Sequence, residues 1–307
     1  MRRSWPPGAA HARGYALVGA SVIAFSSILV RLSHASPSTA AIFRCAYALP
    51  VLGALALWED RVHGAREWRD RRVAIASGVF FAADLILWHN SIEDVGAGLA
   101  TVLANIQVVF VPLVAWLVLR ERPSLRVLVA LPAALVGVLL ISGVLEAHAY
   151  GHHPTRGAIL GALAGLTYVG FLLLLRRSGV DLRRPAGPLF DATATAAVLC
   201  VAAGVVIGDA RLVPTWPSAG WLLLLAMSSQ VVGWLAISVS LPRLPASITS
   251  LLLTVQPLGS LAAAAVIFGE DPSGLQVGGV VLVVGSLLLA TAPRPRMAER
   301  RRYSPPG

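Results

Sequence analysis

Seven residues have side chains suited to handling a small solute, and each lies inside a long apolar run: Asp84, Trp88, Asn105, Gln107, Tyr168, Gln230 and Gln256. Asp84 and Trp88 stand four apart and so share one helical face. The amides of Asn105, Gln107 and Gln256 are costly to bury unpaired, so they either bridge helices or line a cavity. Ser228, Ser229 and Gln230 pose the same choice. Five more residues read as structural or coupling groups: Arg44, His89, Asp191, Glu121 and Glu270. Arg44 and Asp84 both sit roughly 9 Å into their runs from the same side. That spacing predicts an ion pair between neighbouring helices, with a substrate or coupling role for Asp84 as the alternative. A free histidine changes charge near neutral pH, so His89 is read as an interface residue at a helix end or as a proton carrier. Asp191 is expected to pair with the arginines at 176–184. Glu121 and Glu270 precede prolines that suit a helix's first turn, where a carboxylate meets the positive end of the dipole.

What must position these groups follows from composition. The 307 residues are 56% hydrophobic and only 13% charged, with a mean hydropathy of +0.74. A soluble domain carries roughly 25% charged residues, so this chain cannot cover a water-facing surface of its size. It is an integral membrane protein. A helix crossing ~30 Å of hydrocarbon needs about 20 apolar residues. Ten runs qualify: 14–33, 38–58, 72–90, 95–119, 124–144, 157–175, 187–208, 219–240, 245–268 and 273–292. They are continuous rather than alternating, which excludes the dyad pattern of a membrane barrel. The fold class is therefore all-α, with short tails at 1–13 and 293–307. The first run is long and lacks a small-residue cleavage site, so it reads as an uncleaved span.

All 25 basic residues are arginine. They sit between apolar runs rather than along one aromatic-bearing face, which speaks against nucleic acid. With the amino terminus in the cytoplasm, 21 arginines fall on that side and three outside, while Arg44 lies within a span. This places both termini in the cytoplasm of a plasma-membrane protein. Cys45 and Cys200 lie inside apolar runs and give neither a disulfide framework nor a metal site. His148, His152 and His153 share one loop without a helical carboxylate–histidine motif, so no metal or cofactor is implied and an intramembrane enzyme is disfavoured. Nothing resembles a channel's selectivity filter or a nucleotide's glycine-rich cradle. The partners expected are the lipid bilayer, a small-molecule substrate and a coupling proton that Asp84 or His89 could carry. The oligomeric state has no signature.

An internal repeat is the most informative feature. An offset of 149 joins Gln107 to Gln256, Glu121 to Glu270, Pro123 to Pro272 and Ser124 to Ser273, in gapless register from about 91 to 142. Each half, 14–144 and 157–292, then holds five spans. Because five is odd, the second half enters from the opposite side. Such inverted repeats are built around a site near the midplane and can exchange conformations to give alternating access.

Ten spans as five plus five, with Leu119-Arg120-Glu121-Arg122-Pro123 ending span four and Phe268-Gly269-Glu270-Asp271-Pro272 ending span nine, resemble the EamA-type drug/metabolite transporter family. Phe43-Arg44-Cys45-Ala46, Leu166-Thr167-Tyr168-Val169-Gly170 and Pro257 are further points of similarity. One departure is Gln107-Val108 where the second repeat has Gln256-Pro257. The resemblance implies export or exchange of amino acids or small metabolites, through a cavity lined by spans one, three, four, six, eight and nine. Gly157, Gly161 and Gly165, spaced by four, predict close packing of span six.

Overall fold

The computed structural model describes residues 9–119, 125–141, 145, 149–179, 181–244, 253 and 255–291. Every regular element among them is helical: α1 (Ala9–Ala24), α2 (Ser26–Leu32), α3 (Pro37–Ala46), α4 (Leu49–His63), α5 (Trp68–Val95), α6 (Ala97–Ala104), α7 (Gln107–Leu119), α8 (Leu125–Ile141), α9 (Pro154–Ser178), α10 (Ala186–Ile207), α11 (Ser218–Leu225), α12 (Trp234–Ser240), α13 (Val255–Phe268) and α14 (Gly274–Thr291). A π-helical stretch, Ala226–Gly233, joins α11 to α12. Six stretches are long and apolar enough to cross a membrane: His11–Leu32, Pro37–His63, Trp68–Val95, Pro154–Ser178, Ala186–Ile207 and Ser218–Ser240. The expected fourth, fifth, ninth and tenth runs contain shorter apolar helices, and parts of them lie outside the described residues. The outer surface is apolar, with Val206 and Val266 87% and 86% exposed, while polar side chains point inward. That inversion suits a chain surrounded by hydrocarbon.

Loops gather at two ends. At one, His153 N–H donates to the Asp94 carbonyl (3.2 Å), and Tyr150 N–H donates to Gln276 Oε1 (2.8 Å). At the other, Arg184 Nη1 donates to the Gly64 carbonyl (2.6 Å) and Arg243 Nη2 to the Leu182 carbonyl (2.8 Å). We refer to these as the Glu270 end and the Glu59 end.

Carboxylates lock helix starts across the bundle. Glu270, at the foot of α13, accepts the Ala97 and Gly98 N–H groups at 2.7 and 3.1 Å and is ion-paired with Arg31. Glu59, near the end of α4, accepts the Ala186 and Gly187 N–H groups at 2.9 and 2.8 Å. Asp209, just past α10, accepts the Ser38 N–H at 3.1 Å. The first helical N–H groups have no intrahelical partner, so each carboxylate supplies one and meets the positive dipole end. Glu270 is thus a cap, as its sequence position suggests, but of α6 rather than of the helix that follows it. Gly96 makes this possible. Its φ of +85° turns the chain from α5 into α6, and a Cβ there would stand 2.6 Å from Glu270 Oε1. Glu121 lies outside the described residues.

One other expectation changes. The third run does not end at Asn90: α5 continues to Val95, because Ser91 Oγ donates to the Gly157 carbonyl (2.8 Å) and Asp94 pairs with Arg156 (3.3 Å). The predicted loop at Ser91–Asp94 shrinks to Gly96. The glycines of α9 pack as expected: a Cβ on Gly157, Gly161 or Gly165 would lie 2.5–2.7 Å from Val95, Leu103 or the Ala104 carbonyl.

Candidate functional site

Four of the long hydrophobic runs are interrupted at mid-length, and the interruptions surround one space. α1 gives way to α2 at Phe25, where Ser26 Oγ donates to the Ile23 carbonyl (2.6 Å). α3 gives way to α4 at Tyr47 and Ala48, just before Pro50. α6 gives way to α7 at Asn105 and Ile106, with Asn105 Nδ2 donating to the Thr101 carbonyl (2.9 Å). The π-helical turns hold Ser229 and Gln230. Interrupted helices are tolerated at membrane depth where they line a cavity, and π turns recur at functional sites.

The cavity has about 470 Å³ of atom-free space. Its walls are Ile23 and Ser26, Arg44 of α3, Phe81, Asp84 and Trp88 of α5, Thr101 and Ala104 of α6, Asn105, Gln107, Tyr168 of α9, Trp234 of α12 and Gln256 of α13. Six of the seven expected substrate-binding residues are therefore brought together: Asp84, Trp88, Asn105, Gln107, Tyr168 and Gln256. Gln230 stands behind the wall. It accepts a hydrogen bond from Arg44 Nε (3.1 Å) and donates through Nε2 to Thr193 Oγ1 (3.0 Å). The lining helices belong to the spans expected from the family resemblance, with span two added through Arg44. Sequence reasoning also missed Ile23, Ser26, Phe81, Thr101, Ala104 and Trp234. Phe81 lies three residues before Asp84, on the face already marked by Asp84 and Trp88, so that periodicity could have found it. Trp234 carries no such signal, because the π turns shift the helical register ahead of it.

On the Glu59 side, aromatic rings form the cavity's floor: Phe81 stacks on Phe171 (centroids 4.3 Å apart), and Trp234 meets Phe171 edge-on at 4.7 Å. On the Glu270 side, Ser27 and Ser260 share a hydrogen bond of 2.6 Å, and Ser260 Oγ also contacts Thr101 Oγ1 at 3.0 Å. These bonds tie α2, α13 and α6 together.

The expected Arg44–Asp84 ion pair is not formed among the described residues. Both side chains are buried, 3% and 6% exposed, and both face the cavity. Arg44 is held instead by Gln230 and by the rings of Phe81 and Trp88, whose centroids lie 5.9 and 5.7 Å from its guanidinium carbon. Several buried polar atoms here have no partner among the described residues: Trp88 Nε1, Asn105 Oδ1, Gln107 Oε1 and Gln256 Nε2.

The remaining expected residues lie elsewhere. His89 is buried rather than at an exposed helix end, because α5 runs on past it. Its Nδ1 lies 3.1 Å from the Pro37 carbonyl, and it borders a second, larger opening at the Glu270 end. Asp191 does pair with arginines, but with Arg66 (2.9 Å) and Arg71 (3.5 Å), not those at 176–184. The loop after α4 folds over the start of α10, where a Cβ on Gly187 would meet Arg66 Nε at 2.5 Å, and so reaches Asp191 first.

A multi-helix membrane fold with a polar central cavity is the architecture of a solute carrier. The sequence profile of the EamA-like transporter family matches residues 11–143 and again 155–292. The chain belongs to that family and is a multi-pass membrane protein, and both the family and the relative below point to a membrane transporter. It is similar to an uncharacterized transporter of Archaeoglobus fulgidus, 25% identical over 281 residues covering 85% of this chain and 94% of the relative. A crystal structure at 15% identity superposes with a TM-score of 0.61, covering 92% of this chain and 96% of that one, which establishes likeness of fold alone.

Proposed function

We propose that the protein is a secondary transporter of the plasma membrane, moving a small organic solute of the amino acid or metabolite class by alternating access. Ten spans arranged as two inverted five-helix repeats, 14–144 and 157–292, would place the solute site in the central cavity. The observation that carries this reading is that cavity: helices from both halves enclose it, and its polar atoms await partners that the described protein does not supply. The caps support the inversion. Glu59, near the end of α4, caps the start of α10, while Asp209 follows α10 and caps the start of α3, which shares one apolar stretch with α4. The capped residues, Ser38 and Gly187, are 149 apart, the offset of the sequence repeat. Rocking one half against the other would open the cavity to each end in turn, and the arginine asymmetry puts the Glu59 end in the cytoplasm.

The test is solute counterflow. Proteoliposomes loaded with a mixture of amino acids and central metabolites should exchange at least one labelled member across the membrane, in a protein-dependent and saturable way. Absence of exchange for every solute would refute the transporter reading. Accessibility tags on the two chain ends should both report the cytoplasmic side; tags on opposite sides would refute ten spans.

A further inference from the structure

We infer that the seam between α5 and α9, on the outer surface at the Glu59 end, binds one anionic phospholipid, with arginines taking its phosphate and two apolar stripes taking an acyl chain. None of the seam's residues lines the central cavity, so the site does not depend on which solute that cavity holds.

The two helices run antiparallel. Ser91 Oγ donates to the Gly157 carbonyl towards the Glu270 end, and Ser77 Oγ donates to the Phe171 carbonyl (3.3 Å) towards the Glu59 end. Each helix brings one stripe of neighbouring positions to the seam, spaced by four, three and four. On α5 the stripe is Arg69, Val73, Ala76 and Phe80; on α9 it is Leu166, Gly170, Leu173 and Arg177. None of these eight residues is buried. Phe80 closes the seam at its inner end by lying over Gly170, where a Cβ would stand 2.5 Å from the ring. From Arg69 to Phe80 the helix rises roughly 16 Å, about half of the ~30 Å of hydrocarbon. That is the reach of an acyl chain within one leaflet, and Val73, Ala76 and Leu173 give it an apolar wall.

At the Glu59 end the seam opens onto Arg69, Arg72 and Arg177, all exposed and none with a side-chain partner among the described residues. Their neighbours are engaged: Arg71 pairs with Asp191, and Arg66 with Asp191 and Asp60. The nearby acids Glu67 and Asp70 line a separate pocket together with Arg184. Arg69 and Arg72 also stand at the start of α5, where the helix dipole is positive and a cation is disfavoured. An outside anion relieves both costs, and a phosphodiester matches the paired donors of a guanidinium. Trp68, 62% exposed and four residues before Arg72, sits where an aromatic ring meets the headgroup layer. A soluble anion would answer the arginines but leave the apolar seam empty. A zwitterionic lipid would fill the seam but bring a second, positive charge to three arginines. An anionic phospholipid answers both.

The test is native mass spectrometry of the full chain released from detergent, with phosphatidylglycerol and phosphatidylcholine of identical acyl chains supplied in equal amounts. The expected result is phosphatidylglycerol retained on the protein and favoured over phosphatidylcholine by roughly tenfold or more. Arg69→Gln, Arg72→Gln and Arg177→Gln together should remove that preference. Arg300→Gln, Arg301→Gln and Arg302→Gln, which take the same charge from the carboxy-terminal tail, should leave it intact. Ala76→Trp fills the seam without touching an arginine and should also lose the lipid. Equal retention of the two lipids would overturn the inference, as would a preference that survives the triple change or Ala76→Trp, or one lost equally with the tail arginines. Displacement of the lipid by inorganic phosphate would overturn it too, by marking a site for a soluble anion. Where a combined variant fails to fold, Arg69→Gln and Arg177→Gln singly stand in, each expected to weaken the preference by roughly fivefold; an unchanged preference in both would count against the site.

Discussion

The two ends of the bundle and its centre differ in how their buried acids are paired. At the ends, acids have protein partners: Glu59 and Glu270 hold two backbone N–H groups each, Asp191 holds Arg66 and Arg71, and Asp94 holds Arg156. In the centre, Asp84 has none among the described residues, and atoms of Trp88, Asn105, Gln107 and Gln256 are equally without partners. Both sets lie in apolar surroundings, so the difference is not one of burial. Satisfied groups tie helices together, whereas unsatisfied ones hold back bonding capacity that something entering the cavity can use.

The largest effect that distinguishes the two sets should come from Asp84→Asn. Counterflow is expected to fall by roughly one to two orders of magnitude, the loss of a charged hydrogen-bond partner being worth about 1.5–3 kcal/mol, while the thermal unfolding midpoint stays at or above the parent's. A midpoint that falls instead would make Asp84 a structural residue like those at the ends. Next are the caps. Glu270→Ala and Glu59→Ala each leave two helix-start N–H groups unmet, at about 1–3 kcal/mol per buried donor. Both should lower the unfolding midpoint measured in detergent, and an unchanged midpoint would deny the caps their role. Gly157→Ala should be milder: its Cβ would press on Val95 Cγ1 at 2.5 Å and Asp94 Cβ at 2.8 Å, and overpacking costs about 1–3 kcal/mol. Stability should drop with solute affinity unchanged; an affinity loss at equal stability would make α9 a moving part instead.

The smallest effect belongs to the exposed loop at the Glu59 end. There the Arg183 guanidinium donates to the Asp181 carboxylate at 3.0 and 3.1 Å, and the Arg183 N–H adds a third bond. Together they hold the Asp181 carboxyl down at about 2. Because the folded value is the lower one, any stabilisation is present above the ordinary value near 3.9 and is lost as pH falls through about 2. Exposure screens the pair, so Asp181→Asn should unfold with the parent at pH 7. A clear drop there would show that loop ion pairs, too, hold the bundle together.

The residue pattern was enough to determine the membrane class, the all-helical fold, the family and six of the thirteen residues of the cavity wall. Apolar runs of spanning length admit few folds, and a polar residue inside one needs a reason to be there. Asp84, Trp88, Asn105, Gln107, Tyr168 and Gln256 were all found in this way. Pairings were beyond its reach. Glu270 and Ala97 are 173 residues apart and Asp191 and Arg66 are 125 apart, and nothing local specifies which acid meets which partner. Arg44 looked matched to Asp84 because adjacent spans bring similar depths together, yet the π turns at Ala226–Gly233 present Gln230 to it instead. Periodicity reports which face of a helix is buried. Where the helix breaks, and which neighbour fills the space it leaves, depends on the packing of every other helix, and that only the tertiary structure decides.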